Sequence, residues 1–406
     1  HMRHAMEIAG WGSFKSRWQA SKKAGKFRGI GMSTYIEACA DGPKEASSVT
    51  LEKDGTATVL IGTQTNGQGH ITAYAQFVSQ HLDLPLERIN VIQGDSDRIK
   101  TGGGTGGSRS IPVGGASVAR ASQSLAEKLK TLASDELEAG IADLEIVDGS
   151  VRVVGTDKAI DFAALARLPK ATPDLLSAET DYQPGEATYP NGTHICEVEV
   201  DPQTGVTAIL GYTIVDDFGM VVNPLLLEGQ VHGGVVQGIG QALLERTVYS
   251  EDGQLLTASL TDYALPRADD LPFIHFQTRN IPCKNNPLGI KGAGEAGTIG
   301  AAPAVMNALI DALRRGVGVT RLDMPATPEV VWPVVDRKVT STGPTMKTNS
   351  STTDSIARAV GSRGVPRSRW VQRTRIIEPP GGMHAPASAP VANTIHSGQP
   401  SRTENR

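Results

Sequence analysis

Apolar and polar positions along this chain switch repeatedly between a period of two and a period near 3.6, the signatures of strand and helix. The stretch "SSVTLEKDGTATVLIG" (47–62) places Asp54-Gly55 between two β-rich runs and predicts a hairpin. Ile71, Ala75, Val78 and Leu82 then fall on one helical face, stopped by Pro85, and "ERINVIQGD" (87–95) reads as a strand. Val118, Ala121, Leu125, Leu129 and Leu132 mark a second long helix, followed by a hairpin turning at Asp148-Gly149. A polar, proline-dotted stretch over 156–190 reads as a bridge to a second unit.

That unit repeats the plan. A hairpin over 194–217 turns Cys196, Val198 and Val200 inward, then Val206, Ala208 and Leu210. A helix follows with Leu227, Val231, Val235, Ile239 and Leu243 aligned, and another from Pro303 to Arg315 with Val305, Leu309 and Leu313, closed by Gly316. The hairpins exclude a purely parallel sheet, so the expected class is α+β, two mixed-sheet and helix units with an extensive interface. The expected division is an amphipathic docking helix or linker over 1–28, carrying Met6, Trp11, Phe14 and Trp18, then units over 29–175 and 176–336. Beyond these, a disordered basic tail is expected over 337–406, where apolar periodicity vanishes.

Charge sharpens that division. The formal net charge is −4, yet residues 338–406 hold 10 Lys+Arg against 3 Asp+Glu. The body gives no basic surface for nucleic acid. Cys39, Cys196 and Cys283 stand far apart, point to a reducing compartment, and are too few for an iron–sulfur cluster, which takes about four thiolates. No apolar run approaches the roughly 18 residues of a membrane span, so the reading is soluble and cytoplasmic, with no membrane partner.

Glycine is where the sequence asks for chemistry. Gly229, Gly233, Gly234, Gly238 and Gly240 sit within one helical pattern. At about 1 kcal/mol each they cost roughly 4–5 kcal/mol, against a typical domain stability of about 5–15 kcal/mol. Either close helix packing or close approach of a ligand compensates. Two loops, "NGQGH" (66–70) and "GTGGSRS" (104–110), each precede a helix start, where free N–H groups favour anions. Arg109, flanked by Ser108 and Ser110, reads as a fixed cation for phosphate. A fourth segment, "GIKGAGEAGTIG" (289–300), crowds glycines around one acid, Glu295, which alone would read equally as a helix cap. None of these segments fits the P-loop pattern, and no G-x-G-x-x-G sits in a βαβ unit with a following acidic residue. His70, His194, His232 and His275 show no H-x-x-H or H-E-x-x-H spacing, no metal-ligating set emerges, and "DSD" (95–97) reads as a solvated turn.

In these segments the chain resembles the molybdopterin-binding large subunits of the xanthine dehydrogenase and aldehyde oxidase type, including the aerobic carbon monoxide dehydrogenase branch. The likeness rests on "GTQTNGQGHITAYAQ", "GDSDRIKTGGGTGGSRS", "GQVHGGVVQGIGQALLE" and "GIKGAGEAGTIGAAPAVMNALIDAL", in that order, and on "MPATPEVVW". It implies a molybdenum–molybdopterin cofactor, in the cytosine dinucleotide form, and hydroxylation of an aldehyde, an N-heterocycle or CO with water as oxygen source. It implies Glu295 as the active-site base and a cofactor cradle of Gly67, Gln68, Gly69, Ser108, Arg109, Ser110, Gln237, Gly238, Lys291, Gly292 and Gly294. It further implies a 2Fe–2S subunit, an FAD subunit and a dimer of heteromers. Only the C-terminal half of such subunits is resembled, so the upstream half becomes an expected partner, as a fragment or as part of a split subunit. Two alternatives remain beside this one: a non-catalytic half-subunit, and a module for some other dinucleotide.

Overall fold

The computed structural model describes residues 1–342, with side chains through 337. Its first sheet is built from β1 (Phe27–Ile36), β9 (Asn191–Val200), β10 (Thr207–Asp217) and β11 (Ile274–Thr278), in that spatial order. The second orders β4 (Ile89–Ile92), β3 (Ala57–Ile61), β2 (Glu45–Leu51) and β8 (Ser177–Tyr182). A small third sheet holds β5 (Leu144–Val147), β6 (Ser150–Val153) and β7 (Ala159–Asp161). Antiparallel and parallel pairings coexist, and the class is α+β.

The sheets do not follow the linear division expected at 175/176. β1 runs antiparallel to β9, pairing Phe27 with Val200, while β8 runs antiparallel to β2, pairing Glu45 with Tyr182. Each predicted unit thus lends one strand to the other's sheet. The bridge expected over 156–190 accordingly contains β7, the one-turn helix α5 (Phe162–Leu165) and β8.

Helix α7 (Ala296–Val317) lies on one face of the first sheet, seated by Gly31, where a Cβ would fall 2.1 Å from the Ala308 nitrogen. It starts directly after Glu295, earlier than the expected Pro303, and ends at Gly318 in the left-handed region. Gly316 is internal to it and packs on Phe27. By length and composition α7 could cross a membrane, contrary to expectation, but 67% of that window is buried as a core helix. α6 (Pro224–Leu243) packs beside α7, burying Val231, Val235, Ile239 and Leu243.

On the return strand of the long hairpin the inward set is Ile209, Tyr212 and Ile214, whereas Val206, Ala208 and Leu210 face out. Ala208 faces out and Ile209 in ahead of a register shift between Ile209 and Gly211, after which Tyr212 and Ile214 are the buried positions.

The second sheet carries α3 (His70–Leu82) and α4 (Ala116–Leu137), whose buried residues Tyr74, Val78, Val118, Leu125 and Leu129 complete its core. Ile71, expected inward, is exposed. The N-terminal stretch forms two helices, α1 (Met2–Ile8) and α2 (Phe14–Lys23), broken at Gly10 with φ +59°. Phe14 and Ala5 cover Ile30, Met32, Ile195 and Val215, with Met6, Trp11 and Trp18 around them. Arg17 clamps this pair onto the sheet through Glu197 at 2.8 Å. The expected tail begins too early: α8 (Pro328–Thr342) runs through 337–342, anchored by buried Val331 and Val335. The remainder of that tail lies outside the described residues.

Candidate active site

A cavity of about 730 Å3 opens where the starts of four helices meet. It is lined by His70 and Ala73 of α3, by Asn223, Leu226 and Leu227 at α6, by Glu295 before α7, and by Ser110, Ile111 and Pro112 in the turn leading into α4. The first turns of α3, α7 and the segment before α4 carry no side-chain cap. α6 is capped by Asn223, which accepts from the Leu226 N–H at 3.1 Å. Unpaired N–H groups and aligned peptide dipoles make such a meeting point favourable for negative charge, by about 0.3–1 kcal/mol per helix.

Most of the predicted residues converge here. Gln68, Ser108, Ser110, Gln237, Lys291, Gly294 and Glu295 all line the cavity. Gln68 Oε1 accepts from the Asn66 N–H at 2.5 Å, which fixes the side chain and leaves Nε2 with no protein acceptor among the described residues. Gly67 sits at φ +99° with nothing within 4 Å of a Cβ position, whereas at Gly69, φ +80°, a Cβ would meet Leu226 Cδ2 at 2.5 Å. Ser108 takes φ +52°, and its Oγ accepts from the Gly294 N–H at 3.1 Å. Ser110 Oγ lies 3.0 Å from Thr105 Oγ1. Gly292 has no room for a side chain, since a Cβ would lie 2.7 Å from Ser108 Cβ and 2.8 Å from Cys39 Cβ. Gln237 Oε1 accepts from Thr298 Oγ1 at 2.8 Å. Glu295 is exposed into the opening, and its carboxylate caps nothing on α7, which removes the helix-cap reading.

Two residues play other parts. Arg109 does not reach the cavity: buried, it pairs with the fully buried Glu45 at 2.5 Å and donates to the Pro43 carbonyl at 2.7 Å. Its guanidinium is consumed by a carboxylate 64 positions away in the chain, so it braces the loop rather than holding phosphate. Gly238 is a packing glycine, where a Cβ would meet Ala301 Cβ at 2.7 Å across the α6–α7 seam. Lys291, although it lines the cavity, is also paired, donating to Asp217 Oδ2 at 2.6 Å. Asp217 in turn accepts from the N–H groups of Gly219 and Ile281 through Oδ1, at 2.9 and 3.0 Å.

Several contributors were not singled out in the sequence. Gln93 donates to Thr63 O at 2.6 Å and approaches His70 Nδ1 at 3.3 Å. Burial depresses the His70 pKa to about 4, which keeps the ring neutral beside the anion-favouring turn. Gln230 Nε2 donates to the Gly294 carbonyl at 2.9 Å, tying α6 to the backbone before Glu295. It lay within a quoted segment, and its i,i+7 spacing to Gln237 would have placed both near one helix face.

Fold and cavity together suit a protein that holds one large anionic ligand across several loops while keeping one acid free. The residues fit such a group through backbone and amide donors, with both nearby cations already paired, while Gly67, Gly69 and Gly292 are not among the residues that line the cavity. Residues 4–272 match the molybdopterin cofactor-binding domain, and the chain belongs to that family. It is 36% identical over 340 residues to the 6-hydroxypseudooxynicotine dehydrogenase complex subunit gamma of Paenarthrobacter nicotinovorans, covering 82% of this chain and 43% of that one. To the carbon monoxide dehydrogenase large chain of Hydrogenophaga pseudoflava it is 33% identical, covering 81% and 43%. Among solved structures, quinoline 2-oxidoreductase from Pseudomonas putida 86 superposes with a TM-score of 0.74 at 32% identity, covering 83% of this chain and 45% of that one. The chain thus spans a little under half the length of these relatives.

Proposed function

We propose that the chain is the cofactor-holding part of a molybdenum hydroxylase large subunit, acting on an aldehyde, an N-heterocycle or CO with water as oxygen source. The observation that carries this reading is the meeting of Glu295 with Gln68, Ser108, Ser110 and Gln237 around one cavity. When bound, a molybdenum–molybdopterin group, here proposed as the cytosine dinucleotide, supplies the two-electron chemistry. Gln68 and the uncapped starts of α3 and of the turn before α4 would hold its anionic part. Glu295 takes up the proton lost by water as it becomes a nucleophile, which requires a base within about 3 Å of that oxygen. Gly292 and Gly294 let the segment before Glu295 pack on Ser108, which a Cβ would meet at 2.7 and 2.8 Å.

Electrons must leave one at a time, and a 2Fe–2S chain and an FAD chain are the proposed acceptors. The upstream half of the large subunit is the proposed third partner, in a dimer of heteromers. Relatives named as a complex subunit and as a large chain support a multi-chain assembly. The test is metal analysis of the chain purified with and without its upstream half. Near-stoichiometric molybdenum in the co-purified pair is expected. A pair that assembles without molybdenum would make this a non-catalytic subunit.

A further inference from the structure

Glu295 follows the most pliable kind of residue a chain contains. Gly294 is exposed, and it has to be glycine, because a Cβ there would lie 2.8 Å from Ser108 Oγ. Glycine visits backbone conformations that other residues rarely adopt, so the position offers no stiffness of its own. Glu295 is the residue at which α7 begins, and the helix holds it through its carbonyl, which accepts from the Ile299 N–H at 3.0 Å. On its amide side the main chain of the acid is only as fixed as Gly294. The carboxylate caps nothing on α7, so where this main chain is held sets where the carboxylate can reach.

The two soft angles of a residue are set once the planar peptide groups on either side of it are fixed. At Gly294 each plane has one side-chain partner. The plane shared with Ala293 carries the Gly294 N–H, which donates to Ser108 Oγ at 3.1 Å. The plane shared with Glu295 carries the Gly294 carbonyl, which accepts from Gln230 Nε2 at 2.9 Å. These partners come from separate elements. Ser108 sits in the loop before α4, at φ +52°. Gln230 rides on α6, which lies directly against the start of α7: the carbonyl of its neighbour, the fully buried Val231, is 2.4 Å from a Cβ position at Gly297. The segment is already tied just upstream, where the Lys291 N–H donates to Phe218 O at 2.9 Å and the Gly292 N–H to Thr188 Oγ1 at 3.2 Å.

We propose that Gln230 and Ser108 are positioning residues that together fix both backbone angles of Gly294 and hold Glu295 at the cavity wall. The proposal rests on the reading of Glu295 as the base. Space forbids a stiffer residue at 294, and two hydrogen bonds supply the restraint instead. Misplacing a reacting group by about 1 Å costs roughly 100-fold in rate, so this restraint has catalytic weight.

The sequence itself makes a test selective. Glycine directly precedes glutamate at two places in the chain, 185–186 and 294–295. Isotopic labelling of glycine carbonyl carbons and glutamate amide nitrogens in the full chain therefore isolates two amide signals by NMR. Glu295→Gln identifies one by removing it, and the exposed Gly185-Glu186 pair is the internal control. The wild-type Glu295 amide should have an order parameter near about 0.85, that of rigid backbone. Gln230→Met, which keeps the length and loses the donor, should lower it below about 0.6. Ser108→Ala, which frees the other plane, should lower it as well, and decides the matter if Gln230→Met does not fold. A mobile amide in the wild type, or a rigid one in a folded variant, overturns the proposal. In the assembled enzyme Gln230→Met should lower kcat roughly 10- to 100-fold, with KM and molybdenum content unchanged. In a Glu295→Gln background the same substitution should cost nothing further. A loss that persists there, or a fall in molybdenum content, would mean that Gln230 serves something other than the base and would sink the assignment. Retained turnover in Glu295→Gln alone would remove the base reading instead, and the order parameters would still decide the clamp.

Discussion

The α6–α7 seam and the loops at the helix starts are both rich in glycine, for opposite reasons. In the seam, a Cβ at Gly297 would lie 2.4 Å from the Val231 carbonyl, and one at Gly234 3.0 Å from Gly297 Cα. Glycine there is a matter of helix-to-helix distance. In the loops, Gly67 at φ +99° has nothing within 4 Å of its Cβ position, and Gly106 and Gly107 are equally open. Glycine there shapes backbone and leaves space. The difference teaches that glycine frequency marks constraint without revealing whether protein or ligand imposes it.

Substitutions on the two sides should separate them. The largest effect belongs to the cavity: Glu295→Gln in the assembled enzyme should lower kcat by about 10²–10⁴-fold, the usual contribution of a general base, with no loss of thermal stability. A matching fall in Tm would mean that the acid is structural. Next comes the brace behind the loops. Arg109→Ala strands Glu45 without its partner in a fully buried site, and about 3–5 kcal/mol of stability should be lost in denaturant unfolding. A loss under about 1 kcal/mol would show the pair to be dispensable.

On the packing side, Gly31→Ala forces a methyl against the α7 backbone and should cost about 1–3 kcal/mol, read as a lowered unfolding midpoint. An unchanged midpoint would mean that α7 can retreat. His70 supplies a pH test at the cavity. Its pKa, about 4 when folded, lies below the ordinary value of 6.5, so the unfolded chain binds the extra proton between those limits. Stability from this group is full above pH 6.5 and falls as pH drops towards 4, by up to roughly 1.4 kcal/mol per pH unit. His70→Gln should flatten the stability–pH curve in that window. The smallest stability effect is expected at Gly67→Ala, about 1–2 kcal/mol from the left-handed backbone alone. Its main readout is retained cofactor, and unaltered cofactor content would count against close approach there.

Much of the architecture was legible in local pattern. The hairpin turns at Asp54-Gly55 and Asp148-Gly149, and the buried faces of α4, α6 and α7, follow from periodicity and turn chemistry. What was not legible depended on distant partners. Nothing in β1 announces that it pairs with β9, because strand pairing is decided by contacts far apart in sequence. The inward face of β10 was misassigned because Ala208, Ile209 and Leu210 are all apolar, so the local pattern does not say which of them faces in. At the site, the quoted segments delivered Gln68, Ser108, Gln237 and Glu295 to one cavity. Arg109 misled because its counter-charge, Glu45, lies in another element.

The exchange of strands between the two sheets bears on how the chain is made. Residues 27–36 emerge from the ribosome long before residues 191–200, their hydrogen-bonding partners in the first sheet. At a synthesis rate of about 5–20 residues per second, β1 waits roughly 10–30 seconds with an unpaired edge. Over that interval the nascent chain presents a strand without a neighbour, a natural client for a chaperone and a point where slow translation would favour aggregation.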